Sequence, residues 1–181
     1  MGLLRGWMMM SDKKVLYFKD NFFSTGRTEI YNSLKENIGE LDLKSAFSSS
    51  IDVLDTNGRT VVSGKFPFFS NKWQIYDANE QEIGVLKAKL TFLAKKYEYD
   101  AYGRGVFQIK GEAFSREYDI TDEQSNLVGK FEKVSGFFAS PAYQLSNYSS
   151  HISNEELIAM VMGINAIIKR KQSAAGNGGG G

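Results

Sequence analysis

The segment from Ser153 to Lys171, SNEELIAMVMGINAIIKRK, reads as one helix that is apolar on every side, closing a chain that otherwise reads as short β-strands. Ser153 followed by Glu156 is a capping box: the serine oxygen accepts an N–H of the first turn and the glutamate reaches back to the cap. Glu155 and Glu156 suit the positive end of the helix dipole, and Lys169, Arg170 and Lys171 the negative end. At about 100° per residue, Leu157, Ile158, Met160, Val161, Met162, Ile164, Ile167 and Ile168 cover well over half the circumference. Ala159, Gly163 and Ala166 fill the remaining sector as a small-residue stripe, where a sheet wall would come closest. A helix apolar all round belongs inside protein or inside lipid. A bilayer span takes about 20 apolar residues; Leu157 to Ile168 falls short of that and contains Asn165. The helix is therefore expected in a protein core.

Between residues 15 and 148, strand signals recur at short intervals, separated by Gly, Asn, Asp and Ser, as in an antiparallel sandwich or barrel. The expected strands are Val15–Lys19, Thr28–Tyr31, Ile51–Asp55, Thr60–Lys65, Trp73–Tyr76, Ile83–Phe92, Lys96–Tyr102, Val106–Phe114, Arg116–Thr121, Leu127–Val134 and Tyr143–Tyr148. Alternation in Tyr97-Glu98-Tyr99-Asp100 and in Val106-Phe107-Gln108-Ile109-Lys110 gives these strands one dry and one wet face. No linker divides the chain, so one domain is expected over 15–172, with its helix over 154–171. Residues 1–14 are expected to be a disordered extension, of which the first nine are dispensable, and SAAGNGGGG from Ser173 a flexible tail.

A weak repeat runs through the strands. Ile75-Tyr76-Asp77 leads to Ile83-Gly84 and Ile120-Thr121-Asp122 to Val128-Gly129, with Val53-Leu54-Asp55 and Gly64 as a looser copy two residues longer. Each reads as strand, acidic turn, strand: Asp bonds its own backbone in a turn, and the glycine marks a bend. Hairpins with bends suit a closing barrel. A barrel of about a dozen strands is wide enough to take a helix inside. The helix then buries its whole circumference and the sheet loses its edges.

Tyr17-Phe18-Lys19 leading to Phe22-Phe23, the hairpins IYDANEQEIGVLKAK and ITDEQSNLVGKFEKV, and the final apolar helix resemble the LURP-one-related proteins over roughly residues 15 to 170. That family sits in the tubby-like superfamily with tubby C-terminal domains and phospholipid scramblases. The resemblance implies a mainly β fold: a closed antiparallel barrel of 12 strands around a central C-terminal helix.

Little in the chain points to catalysis. Lys and Arg number 22 against 21 Asp and Glu, so no net field favours nucleic acid or an anionic membrane. The absence of cysteine excludes disulfides and thiolate chemistry. His151, the only histidine, stands just ahead of the helix cap, where a turn role is expected of it. There is no nucleophile elbow, HExxH or P-loop, and Gly103-Arg104-Gly105 reads as a hairpin turn. Asp55-Thr56-Asn57-Gly58 resembles the middle of an EF-hand loop, but its register puts Val53 and Gly64 at the acidic ends. A type I′ turn accounts for it, and the acidic calcium segment associated with scramblases is not evident. No cofactor, no metal and no catalysis are expected.

One basic cluster remains. Lys87 and Lys89 alternate with Leu86, Ala88 and Leu90, which puts both on one strand face, and Lys95 and Lys96 follow at the turn. Tubby domains hold phosphoinositide headgroups with basic residues on the barrel exterior, a similarity of kind rather than of aligned positions. Phe68, Phe69, Phe137 and Phe138 are expected in core or inter-strand contacts, with lipid insertion the other reading. The resulting expectation is a non-catalytic cytoplasmic protein, peripheral to a membrane and without a transmembrane segment. It would hold an anionic phospholipid headgroup or another anion at Lys87, Lys89, Lys95 and Lys96. The alternatives are a membrane-associated lipid-scrambling protein and a module that binds unknown protein partners.

Overall fold

The computed structural model describes residues 14–44, 50–91, 95–112 and 115–176. The expected extension up to residue 13, the last residues of the expected tail, and the strand ends at Phe92 and Phe114 lie outside the described residues. Twelve antiparallel strands form a closed barrel. They are β1 (Val15–Lys19), β2 (Gly26–Tyr31), β3 (Asn37–Leu43), β4 (Ser50–Leu54), β5 (Thr60–Lys65), β6 (Trp73–Asp77), β7 (Glu82–Lys89), β8 (Lys95–Asp100), β9 (Val106–Gly111), β10 (Tyr118–Thr121), β11 (Leu127–Val134) and β12 (Ala142–Asn147). Each pairs with its neighbours in sequence, and β1 with β12 closes the ring. A 3-10 turn, Asp20–Phe23, follows β1, and helix α1 (Asn154–Gly176) follows β12.

Helix α1 occupies the lumen, as its apolar circumference requires: Leu157 to Ile164 and Ile167 are buried on every side. It leans on the β4–β7 wall. Across the lumen, Phe22 and Phe23 from the 3-10 turn pack with Phe18, Phe131 and Tyr143, the last two rings stacked at 5.2 Å. The small-residue stripe does face the wall, but an indole rather than strand backbone fills the gap. Trp73 lies between Gly64 of β5 and Gly163 of α1. A Cβ on either glycine would sit 2.6 Å or 2.5 Å from the ring. Its Nε1–H donates to Ala159 O at 3.1 Å.

The helix differs from expectation at both ends. It continues to Gly176, five residues beyond Lys171, so Lys169 to Lys171 lie more than a turn before its C-terminus and do not cap it. At the start, Glu156 N donates to Ser153 Oγ at 3.1 Å as a capping box requires. The Glu156 carboxylate, however, turns into the barrel toward Arg104 and Tyr99.

Four turns at the helix N-terminal end share one hydrogen-bond scheme. Asp55, Asp77 and Asp122 each accept, at Oδ1, the N–H groups two and four residues on. Asn32 does the same toward Leu34 and Glu36. The fourth residue of each turn is left-handed: Lys35, Gly58, Glu80 and Ser125 have φ between 60° and 74°. A type I′ turn needs positive φ at two adjacent central residues. At Asn57-Gly58 only Gly58 meets that, so the expected type I′ turn is replaced by this longer Asx turn. Tyr102-Gly103, with φ of 38° and 78°, fits the type I′ pattern instead.

The repeat is also re-cut by the register. Ile30, Ile75 and Ile120 face Gly39, Gly84 and Gly129 across their hairpins. Asn32 to Gly39 is thus a true copy with Asn for Asp, and it carries β3, a strand absent from the alternation reading. In the Asp55 hairpin the equivalent partner of Val53 is Val62. Gly64 is not the repeat glycine; it makes room for Trp73.

Candidate functional site

The helix fills the barrel, so surfaces available to a ligand lie on its outer wall and its two ends. In β7, Gly84 and Leu86 face inward, which turns Lys87 and Lys89 out as alternation predicts. In β8, Tyr97 and Tyr99 are buried, so Lys96 and Glu98 point outward. Lys95 has the parity of the tyrosines and lies on the other face, so the four expected lysines do not form one patch.

Pairing register then sorts the outward charges into two rows. In the first, Lys87, Glu98 and Gln108 are cross-strand neighbours. Glu98 takes Lys87 Nζ at 2.8 Å, Gln108 Nε2 at 3.0 Å, and Lys89 Nζ as well. Hydrogen bonds from Lys87, Lys89 and Gln108 hold its carboxyl down at about 2. In the second row, Lys89 faces Lys96 and Lys96 faces Lys110, one lysine on each of three adjacent strands. Like charges directly opposite one another destabilise a sheet. Lys89 is relieved by Glu98, whereas Lys96 and Lys110 make no ion pair among the described residues. Asp119 is the next residue round from Lys110, beyond ion-pair distance.

These three lysines and Gln108 border an open groove of about 650 Å³ on the outer wall, with Thr121 and Asp122 farther along it. Lys110 is the member that sequence reading passes over. Its outward parity is visible in Val106-Phe107-Gln108-Ile109-Lys110, but its place beside Lys96 comes only from the β8–β9 register.

A second polar cluster locks the opposite end of the lysine-bearing strands to the helix. Arg104, in the turn between β8 and β9, forks onto Glu156, with Nη1–Oε2 and Nη2–Oε1 both at 2.8 Å. The same guanidinium donates to Ile83 O at 2.6 Å and His151 O at 3.0 Å, and Tyr99 Oη donates to Glu156. Glu156 is 2% exposed. Burial first, then the Glu156 charge, push the Tyr99 hydroxyl well above its ordinary range, and the bonds to Glu156 raise Arg104. With its charges matched, the cluster fastens the β8–β9 turn to the start of α1. His151 lies exposed in the turn before α1 and contributes its backbone carbonyl. Among the described residues no group of three or more His, Asp or Glu is placed to hold a metal ion.

The expected aromatic contacts divide. Phe137 stacks on Tyr17 at 3.6 Å and Phe138 meets Tyr31 at 5.1 Å, both against the outer wall. Phe68 and Phe69 are not in the core: they are 88% and 92% exposed, because their loop turns its tip away from the barrel.

A family model described as LURP-one-related matches residues 13–169. No curated protein matches the chain. Among solved structures, the X-ray structure of a protein from Arabidopsis thaliana superposes with a TM-score of 0.53 at 12% identity, covering 90% of this chain and 94% of that one. At that identity the likeness is one of fold. No helix among the described residues is long and apolar enough to cross a membrane.

Proposed function

The chain belongs to the LURP-one-related family, and from that premise we propose that it is a non-catalytic binding module holding a phosphate-bearing anion, a phospholipid headgroup foremost, on its outer wall. The observation that carries this reading is the cross-strand row Lys89–Lys96–Lys110, which sets like charges opposite one another over an open groove. Such a row costs stability unless an anion is shared between the ammonium groups. A filled lumen supports the same reading, since the interior cavity that larger barrels use for ligands is taken by α1. A catalytic reading finds no support in the Arg104–Glu156–Tyr99 cluster, whose hydrogen bonds are already satisfied within the fold. Peripheral attachment in the cytoplasm fits a headgroup ligand and belongs to the same proposal.

Isothermal titration with inorganic pyrophosphate tests it. The wild-type protein should bind saturably and more weakly as salt rises, and the variant K89Q/K96Q/K110Q should lose that binding while its unliganded thermal midpoint stays at or above that of the wild type. Equal binding by both proteins, or none by the wild type at low salt, would end the proposal.

A further inference from the structure

The strands alternate in direction, so every second connection lies at the end of the barrel where α1 finishes. Arg170 of α1 donates to Ser70 O at 2.8 Å and lies over the Phe66 ring at 4.5 Å, which fixes the β5–β6 connection at that end. Between those anchors the loop projects Phe68 and Phe69. The turn is held by Ser70 N to Pro67 O at 3.1 Å and by Lys72 N to Ser70 Oγ at 3.1 Å. Phe69 sits at φ 62°, a left-handed conformation uncommon for a bulky side chain. The two rings touch each other edge to face at 4.2 Å and otherwise face solvent. The loop is thus braced at its base and bare at its tip. On the next connection at this end, Leu90 is also fully exposed.

Cations lie at the same end of the barrel. Lys72 flanks the loop, Lys169 and Lys171 lie on the part of α1 leaving the barrel, and none of the three makes an ion pair among the described residues. The opposite end presents the acidic turns at Asp55, Asp77 and Asp122. That end also carries Lys35, Arg59 and Arg104, and the Phe68 end also carries Asp20, Glu112 and Glu117, so the two ends differ in the balance of their charges, acidic at one and basic at the other.

We infer that this end docks on an anionic lipid bilayer, with Phe68 and Phe69 inserted among the acyl chains and Lys72, Lys169 and Lys171 at the headgroups. Aromatic rings gain by leaving water, and the flanking ammonium groups are drawn to a negatively charged surface. A second copy of this chain would bring the same cations face to face, which charge complementarity disfavours. The inference goes beyond the groove on the wall and stands without it.

Vesicle flotation separates the two. On phosphatidylcholine vesicles containing phosphatidylserine, the wild type should float at low salt and be released as salt rises. F68S/F69S, which alters only exposed side chains, should keep pyrophosphate binding and thermal stability but lose vesicle partitioning by at least about tenfold. F68W should be quenched by brominated acyl chains. The groove variant K89Q/K96Q/K110Q, in contrast, should still be quenched in the F68W background. Equal partitioning of wild type and F68S/F69S, or a dimer in solution that F68S/F69S abolishes, would overturn the inference.

Discussion

Trp73 on β6 and Gly163 on α1 are shaped to one another: the indole occupies the space where any side chain at 163 would begin, with Cδ1 only 2.5 Å from an added Cβ. Gly64 closes the other side of the ring, and Ala159 O takes its N–H. The small-residue stripe of the helix therefore serves one large aromatic, which pins α1 to the β4–β7 wall.

Replacing Gly163 by Ala reverses the usual sign. In a helix interior that change normally stabilises by about 1 kcal/mol. Here the new methyl meets a rigid, hydrogen-bonded indole, and overpacking of this kind costs about 1–3 kcal/mol. G163A should lower the midpoint of thermal unfolding followed by circular dichroism; a rise would mean the indole yields freely.

The Arg104–Glu156 pair should show strong coupling. R104M leaves a carboxylate at 2% exposure without its partner, and such losses run to about 3–5 kcal/mol. Arg104 itself is 34% exposed, which places the expected cost near the lower figure. The double variant R104M/E156M removes both charges and should unfold closer to wild type than R104M does. Urea titrations of the wild type, R104M, E156M and R104M/E156M complete the cycle, and additive losses would deny the coupling.

Glu98 makes stability depend on acid. Its carboxyl is held at about 2, below the ordinary 4.5, by Lys87, Lys89 and Gln108. A depressed carboxyl contributes fully above its unfolded value and loses that contribution as pH falls through the folded one. Wild-type stability should therefore fall between about pH 4.5 and 2 more steeply than that of E98Q. The same substitution releases Lys87 and Lys89, so E98Q should bind pyrophosphate more tightly at neutral pH. Parallel acid profiles would show that these contacts are too solvated to count.

Met162 lies deep inside the barrel at 1% exposure. M162D places an unpaired charge there and should cost about 4 kcal/mol or more, most of the stability of a domain at the lower end of the usual range. Native M162D with unchanged amide exchange in α1 would contradict a helix-filled lumen.

Much of this architecture is legible in the chain because closure and burial write themselves as periodicity. The helix announces its container by having no polar side, and β8 and β9 announce their inner faces by strict alternation. What periodicity leaves out is register. Parity alone separates Lys95 from Lys96, yet only pairing brings Lys110 beside Lys96. The β3 strand escaped because Asn32 does the work of an aspartate in its turn and Gly39 stands where an apolar residue would signal a strand. Arg104 gives no local sign of its role, since its partner Glu156 lies 52 residues farther along. Phe68 and Phe69 read as core because aromatic side chains usually are, and only the braced loop shows otherwise.

The measurement that bears most directly on the account is a pyrophosphate titration followed by NMR of the lysine side chains. Saturable shifts are expected at Lys89, Lys96 and Lys110, with the core methyl signals of Met160 and Met162 unmoved. Shifts spread evenly over all surface lysines, or shifts at the helix methyls, would contradict a binding site on the outer wall of a filled barrel.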